Sequence, residues 1–397
     1  MIQHLNKGQV LLMASATGLI VANIYYSQPL VVLISREFNV TESNAGQINF
    51  YTQLGYALGL FFCTPLGDKI ERKKQIIVMT LTSVIALVGA AITQNIMVLK
   101  IAGLLIGFTS MVPQLIIPMA ANLASPEQRG KIIGVIMSGL LVGILLSRTL
   151  SGFVGAFWGW RAMFFIAAGI CLALAFVMIF AFPVSIPTFR GSYAELMGSL
   201  FQLVKEQRVL REATAINSLA FACFGMFWTT MVLLLSAEPF HFNANTIGLF
   251  GLAAGAGALM APLVGKIADK SNPRITIGIG IVCMLLSFVL FYLFRISVLG
   301  LIVGIVVLDL GMQSIHVSNQ TRIYALIPEA RNRLNTVFMT GSFIGTALGS
   351  AIGLWVWNWN QWASVCLVGV LFAIAAMIIY IATYPVKNNA AKSLKIN

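Results

Sequence analysis

Eight stretches of 20 to 28 residues contain no charged side chain: 8–35, 43–67, 75–99, 101–126, 162–189, 213–237, 239–265 and 275–294. A helix rises about 1.5 Å per residue, so about 20 apolar residues cross the hydrocarbon core of a bilayer. Two more intervals carry one charge each, Arg148 in 132–160 and Asp309 in 296–321. The interval 334–386 is long enough for two crossings and breaks at Asn358-Trp359-Asn360-Gln361. Twelve spans are expected. Transmembrane strands would alternate over segments of about ten residues, whereas these runs are continuous, so the expected fold is an all-α integral membrane protein. Composition points the same way: 59% of residues are hydrophobic and 9% are charged, too few to cover a soluble surface of this size.

The net charge of +13 would suggest nucleic acid on a soluble chain. Here the basic residues fall in short loops, so no nucleic-acid partner is expected and topology explains them. With the N-terminus inside, the inner segments hold 20 Lys and Arg and the outer loops four, namely Arg36, Lys100, Arg161 and Arg295. That bias places both termini in the cytoplasm and the chain in the inner membrane as a multi-pass protein. The first apolar stretch lacks a small-residue cleavage site after it and reads as a retained span. Residues 183–211, with Pro183, Pro187 and a basic stretch to Arg211, read as a cytoplasmic linker with a short helix on the membrane surface. It separates a six-helix half, 1–182, from a second, 212–397. Cys63, Cys171, Cys223, Cys283 and Cys366 lie in apolar runs, and His4, His241 and His316 are the only histidines. No metal cluster follows from these, and no phosphate-binding glycine loop followed by Lys-Ser/Thr is present, so no metal, no ATP drive and no cofactor are expected. Nor does any nucleophile–base set appear, which leaves no enzyme.

The halves repeat each other. Asp68-Lys69 recurs as Asp269-Lys270, Pro126-Glu127-Gln128-Arg129 as Pro328-Glu329-Ala330-Arg331, and Ser138-Gly139 as Thr340-Gly341. Six-span halves in parallel repeat are a transporter architecture. The loop Thr64-Pro65-Leu66-Gly67-Asp68-Lys69-Ile70-Glu71-Arg72-Lys73 resembles the loop motif of the major facilitator superfamily, Gly-x-x-x-Asp-Arg/Lys-x-Gly-Arg-Arg/Lys. Thr64 and Glu71 replace its glycines, and the second copy, Gly265 to Lys270, keeps the leading one. Asn23 to Pro29, and the run from Asp309 to Arg331, resemble the arabinose-efflux-permease-like branch, grouped with drug:proton antiporters. The resemblance covers essentially the whole chain. It implies a transporter with two pseudo-symmetric six-helix halves, exporting a small-molecule substrate in exchange for protons as a monomer in membrane lipid. An uptake permease or uniporter for a small metabolite is the alternative.

Asp309 lies near the middle of span ten, with Gln313, His316 and Gln320 following on one helical face and Asn319 beside them. An intramembrane charge is a functional candidate, so Asp309 and His316 are the proton-coupling candidates, against the plain reading that Asp309 bonds a neighbouring helix. In span five the family's antiporter motif, Gly-x-x-x-Gly-Pro-x-x-Gly-Gly, falls on Gly143 to Gly152, where Ser147, Arg148 and Ser151 replace Gly, Pro and Gly. That stretch packs spans five and eight in the family. Arg148 is expected as an inter-half latch, with an anchor for anionic substrate as the alternative. The family's arginine in span four is Gly103 here. Asp68, Lys69, Arg72, Asp269 and Lys270 are expected as a cytoplasmic gate. Asn23, Tyr26 and Ser27 of span one, Gln114 of span four, Asn217, Phe221, Phe224 and Trp228 of span seven, and Gln313, Asn319 and Gln320 of span ten are the cavity candidates. Gly341, Gly345, Gly349 and Gly353 form a ridge for close helix packing.

Overall fold

The computed structural model describes residues 5–125, 128–185, 187, 189, 191–259, 272–327 and 330–383, without the side chains of 254–259. Every regular element among them is helical. Span one is Lys7–Val21, two single 3₁₀ turns at Ala22–Ile24 and Gln28–Leu30, and Val31–Glu37. Asn6 and Gln9 form a capping box at its start. Span two is Glu42–Leu66, capped by Thr41, and span three is Arg72–Ile92. Span four breaks into Ile96–Thr109 and Pro113–Leu123, because Pro113 has no N–H to continue the first helix. Spans five and six are Arg129–Trp158 and Trp160–Ala181. They turn at Gly159, whose φ of 80° lies in the left-handed region that glycine adopts freely.

Spans seven to ten are Arg208–Ser236, Ala244–Leu259, Pro273–Leu293 and Val298–Tyr324. Arg331–Thr383 holds spans eleven and twelve, with non-helical dihedrals at Asn360 and Gln361, inside the polar run where the break is expected. Among the described residues nine helical segments are long and apolar enough to cross a membrane. One of them is the doubled Arg331–Thr383, and Glu42–Leu66 and Ala244–Leu259 complete the twelve. Between the sixth and seventh spans, Ser192 and Glu195 cap a helix, Tyr193–Glu206, that buries Leu196, Leu200 and Leu203. Span seven begins at Arg208, within the stretch the sequence assigns to the linker.

Glycines let backbones touch inside each half. A Cβ on Gly55 or Gly59 would overlap the carbonyls of Leu104 or Phe108, so spans two and four meet without side chains between them. Gly139 and Gly143 sit likewise on Ala14 and Gly18, joining spans five and one. The ridge in span eleven repeats this: Gly341 faces Thr214, Gly345 faces Ser218, Gly349 faces Ala222 and Gly353 faces Met226, all on span seven.

The halves meet along two seams at one end of the molecule. Ser43 Oγ donates to the Leu354 carbonyl at 3.2 Å, and Gly46 abuts the Leu354 side chain, joining spans two and eleven. Thr149 Oγ1 donates to the Gly248 carbonyl at 3.0 Å, and Gly152 abuts Ala244, joining spans five and eight.

Candidate functional site

Between the halves lies a chamber of about 1100 Å³. Its floor is at the seamed end, where it meets Gln28, Arg148, Trp228 and Asp309. Its mouth is at the opposite end, lined by Asp68, Arg72, Arg129, Arg331 and Arg333. The walls are aromatic and apolar, with Tyr25, Tyr56, Phe221, Phe224, Met312 and Phe343, interrupted by a few amides.

Arg148 is 3% exposed, which for a guanidinium in a membrane helix requires partners. Its Nε donates to Gln28 Oε1 at 2.7 Å and Nη1 reaches the Ile144 carbonyl at 3.4 Å. The guanidinium carbon lies 4.1 Å from the Trp228 ring centre and 4.6 Å from that of Tyr25. Trp228 belongs to the second half and Tyr25 to the first, so the guanidinium touches a ring from each half. It also lines the chamber. Nη2 has no hydrogen-bond partner among the described residues.

Asp309 is 5% exposed and lines the same floor from span ten. Among the described residues it makes no hydrogen bond or ion pair, and its buried Oδ2 faces no donor. Arg148 is the charge whose field reaches it. Gln313, His316 and Gln320 line the chamber between it and the mouth, so the i, i+4, i+7, i+11 spacing does set one face. The His316 ring stacks on Phe338 with centroids 5.5 Å apart and tilts against Phe221 at 5.4 Å. The Asn217 amide nitrogen lies 3.3 Å from His316 Nδ1 and donates to Ser342 Oγ at 2.6 Å. Gln320 Nε2 donates to Tyr324 Oη and to Asn335 Oδ1, both at 3.2 Å, tying spans ten and eleven near the mouth.

Gln114, Phe221, Phe224 and Trp228 also line the chamber; five other candidates do not. Asn23 is buried inside the first half, its Nδ2 3.5 Å from Ser83 Oγ and 3.4 Å from Cys171 Sγ. Ser27 Oγ donates to Asn49 Oδ1 at 2.7 Å, and Tyr26 is core. The 3₁₀ turns have three residues per turn, which shifts the phase of the face that a continuous helix would present. Tyr25 and Gln28 take the chamber positions instead. Asn217 lies behind His316, bonded to Ser342. Asn319 is fully buried and accepts from Arg322 Nη1 at 3.1 Å.

Of the expected gate, Asp68 and Arg72 pair and line the mouth, while Lys69 is exposed beside them. The Asp68 carbonyl accepts from Phe189 N at 3.0 Å. Asp269 and Lys270 lie outside the described residues. Gln53 and Tyr56 are chamber residues absent from the sequence-based candidates, although Asn49, Gln53 and Tyr56 recur at helical spacing in span two. Glu212 is likewise absent from them. It is buried and paired with Arg274 at 3.2 Å and Arg322 at 3.0 Å, but its position beside the linker gives no sign of burial.

The sequence profile of the Major Facilitator Superfamily matches residues 13–233 and 213–395. The chain belongs to the major facilitator superfamily. As a member it is a membrane transporter, and relatives carry that name. YgaY of Escherichia coli strain K12, named as a transporter, is 42% identical over 377 residues, covering 95% of this chain and 96% of its own. SCO4007 of Streptomyces coelicolor, also named as a transporter, is 30% identical over 358 residues, covering 90% of this chain and 83% of its own. The fold is that of the nucleoside transporter NupG in its crystal structure, with a TM-score of 0.77, 15% identity, and coverage of 95% of this chain and 99% of that one. The twelve helices are thus the two six-helix halves of a major facilitator protein, and the chamber lies between them.

Proposed function

We propose that the protein exports small organic molecules across the inner membrane by alternating access, in exchange for protons. The observation that carries this reading is Asp309: a carboxylate in mid-span, without hydrogen bond or ion pair among the described residues, at the floor of a chamber open at one end. A coupled exchanger needs a group that holds a proton in one state and releases it in the other, and a buried carboxylate whose surroundings change on switching meets that need. His316, two turns nearer the mouth, lies on the path between Asp309 and solvent.

The excess of Lys and Arg at the open end supports an orientation with that end and both termini in the cytoplasm. The conformation is then inward-facing, with the seams closing the outer side. Residues 1–182 and 212–397 rock as two halves of a monomer joined by 183–211. Asp68, Lys69 and Arg72, with Asp269 and Lys270 of the second loop, form the gate that closes the inner side when the seams part. The chamber walls suit a small amphipathic ligand rather than an ion alone.

The test is accumulation of a compound panel in cells with and without the gene. Export lowers accumulation of at least one compound in expressing cells, and collapsing the proton gradient restores it. Raised accumulation would instead establish the uptake permease.

A further inference from the structure

We propose that the chamber floor is a binding site for a zwitterion, a small organic molecule whose carboxylate is held by Arg148 and whose ammonium is held by Asp309. This deepens the export reading and rests on the chamber being the transport site.

The argument starts from two charges of opposite sign that do not meet. Arg148 comes from the first half and Asp309 from the second, both are more than nine-tenths buried, and both line one floor. No ion pair joins these two described residues, although each lies in the field of the other. Arg148 uses Nε on Gln28 and has only a 3.4 Å contact at Nη1, while Nη2 has no hydrogen-bond partner among the described residues. Asp309 has no hydrogen bond or ion pair among the described residues. A buried charged group with an unsatisfied atom is costly, and Arg148 Nη2 and Asp309 Oδ2 on one floor call for a ligand that answers both.

An anion alone would answer Arg148 and meet Asp309 as a like charge. A cation alone would do the reverse. A zwitterion satisfies both, and its two charges are drawn from opposite halves, so it bridges the elements that must move together. The other charged groups of the wall, Asp68, Arg72, Arg129, Arg331 and Arg333, stand at the mouth. The ionisable groups nearest the floor on the packed elements are Tyr25, Tyr56 and His316. Trp228, Phe224 and Met312 provide an apolar wall for the rest of the molecule. Coupling then has a simple form. A proton on Asp309 removes the partner of the ammonium, so proton and substrate exclude each other at one carboxylate, and one proton enters as each zwitterion leaves.

The experiment uses the full chain in lipid nanodiscs and calorimetry near neutral pH, with two probe sets. The first is L-phenylalanine, 3-phenylpropionate and 2-phenylethylamine. The second is 6-aminohexanoate, hexanoate and hexylamine, in which the two charges lie further apart. In at least one set the zwitterion is expected to bind about tenfold more tightly than either single-charge analogue. Arg148→Gln should cost that zwitterion about tenfold and remove its advantage over the amine, and Asp309→Asn should do the same against the acid. The analogues delete each charge from the ligand side, so the test stands on the wild-type protein if Arg148→Gln fails to fold. Equal binding of single-charge analogues in both sets, or no binding by any of the six, overturns the proposal. A protein that still exports a panel compound under a pH difference while binding no zwitterion loses this substrate class and keeps the export reading. Zwitterion binding without proton counter-movement keeps the site and removes the coupling.

Discussion

Arg148 is held by one charge-assisted hydrogen bond to Gln28 and stacks on two rings, Tyr25 and Trp228. Such a bond is worth about 1.5–3 kcal/mol and each stacked cation about 0.5–2 kcal/mol. Arg148→Ala should therefore lower the melting temperature of the purified protein by several degrees, and an unchanged melting curve would count against the latch. For Asp309 the measure is different. Asparagine is nearly the same size and cannot titrate. Asp309→Asn should abolish substrate accumulation driven by an imposed pH difference in vesicles, while passive exchange stays measurable at raised substrate concentration. A variant that still concentrates substrate would make Asp309 structural. Both residues are legible in the sequence because each is the sole charge in a long apolar interval. Asn23 and Ser27 are not, because amides and hydroxyls occur both on cavity walls and between packed helices. Spacing separates the two only while the helix is continuous, and in span one it is not.

Among the elements, span eleven offers the sharpest contrast. A Cβ at Gly345 or Gly349 would overlap the carbonyl of Ser218 or Ala222, backbone that cannot yield without moving span seven. Gly345→Val or Gly349→Val should reduce the yield of folded protein and broaden its thermal transition. Gly89, inside span three, has nothing within 4 Å of a would-be Cβ. Gly89→Ala should leave assembly unchanged and add up to about 1 kcal/mol of helix preference. If both classes of variant behave alike in melting and size-exclusion profiles, close backbone approach is not what holds spans seven and eleven together. The ridge and the break at Asn360 can be read in advance, since four-residue glycine spacing and a polar run inside an apolar interval are local signals. The partner of each glycine face cannot, because it depends on which helices become neighbours.

For the whole molecule, the gate and the seams set the balance between two arrangements. Asp68→Asn removes the pairing with Arg72 at the mouth and should slow transport several-fold at wild-type surface levels. Normal turnover would remove Asp68 from the gate. Cross-linking cysteines placed at Ser43 and Leu354 should stop transport and leave cavity residues such as Gln313 open to a thiol reagent, once changed to cysteine, from the mouth alone. Span seven bears on how such a protein can diverge over time. Thr214, Ser218 and Ala222 meet the glycine ridge on one stripe of its surface, while Phe221, Phe224 and Trp228 meet the chamber on another. Framework and appetite are thus written on different sides of one cylinder. A lineage can exchange the chamber stripe, and with it what it carries, while the ridge stripe keeps the two helices joined.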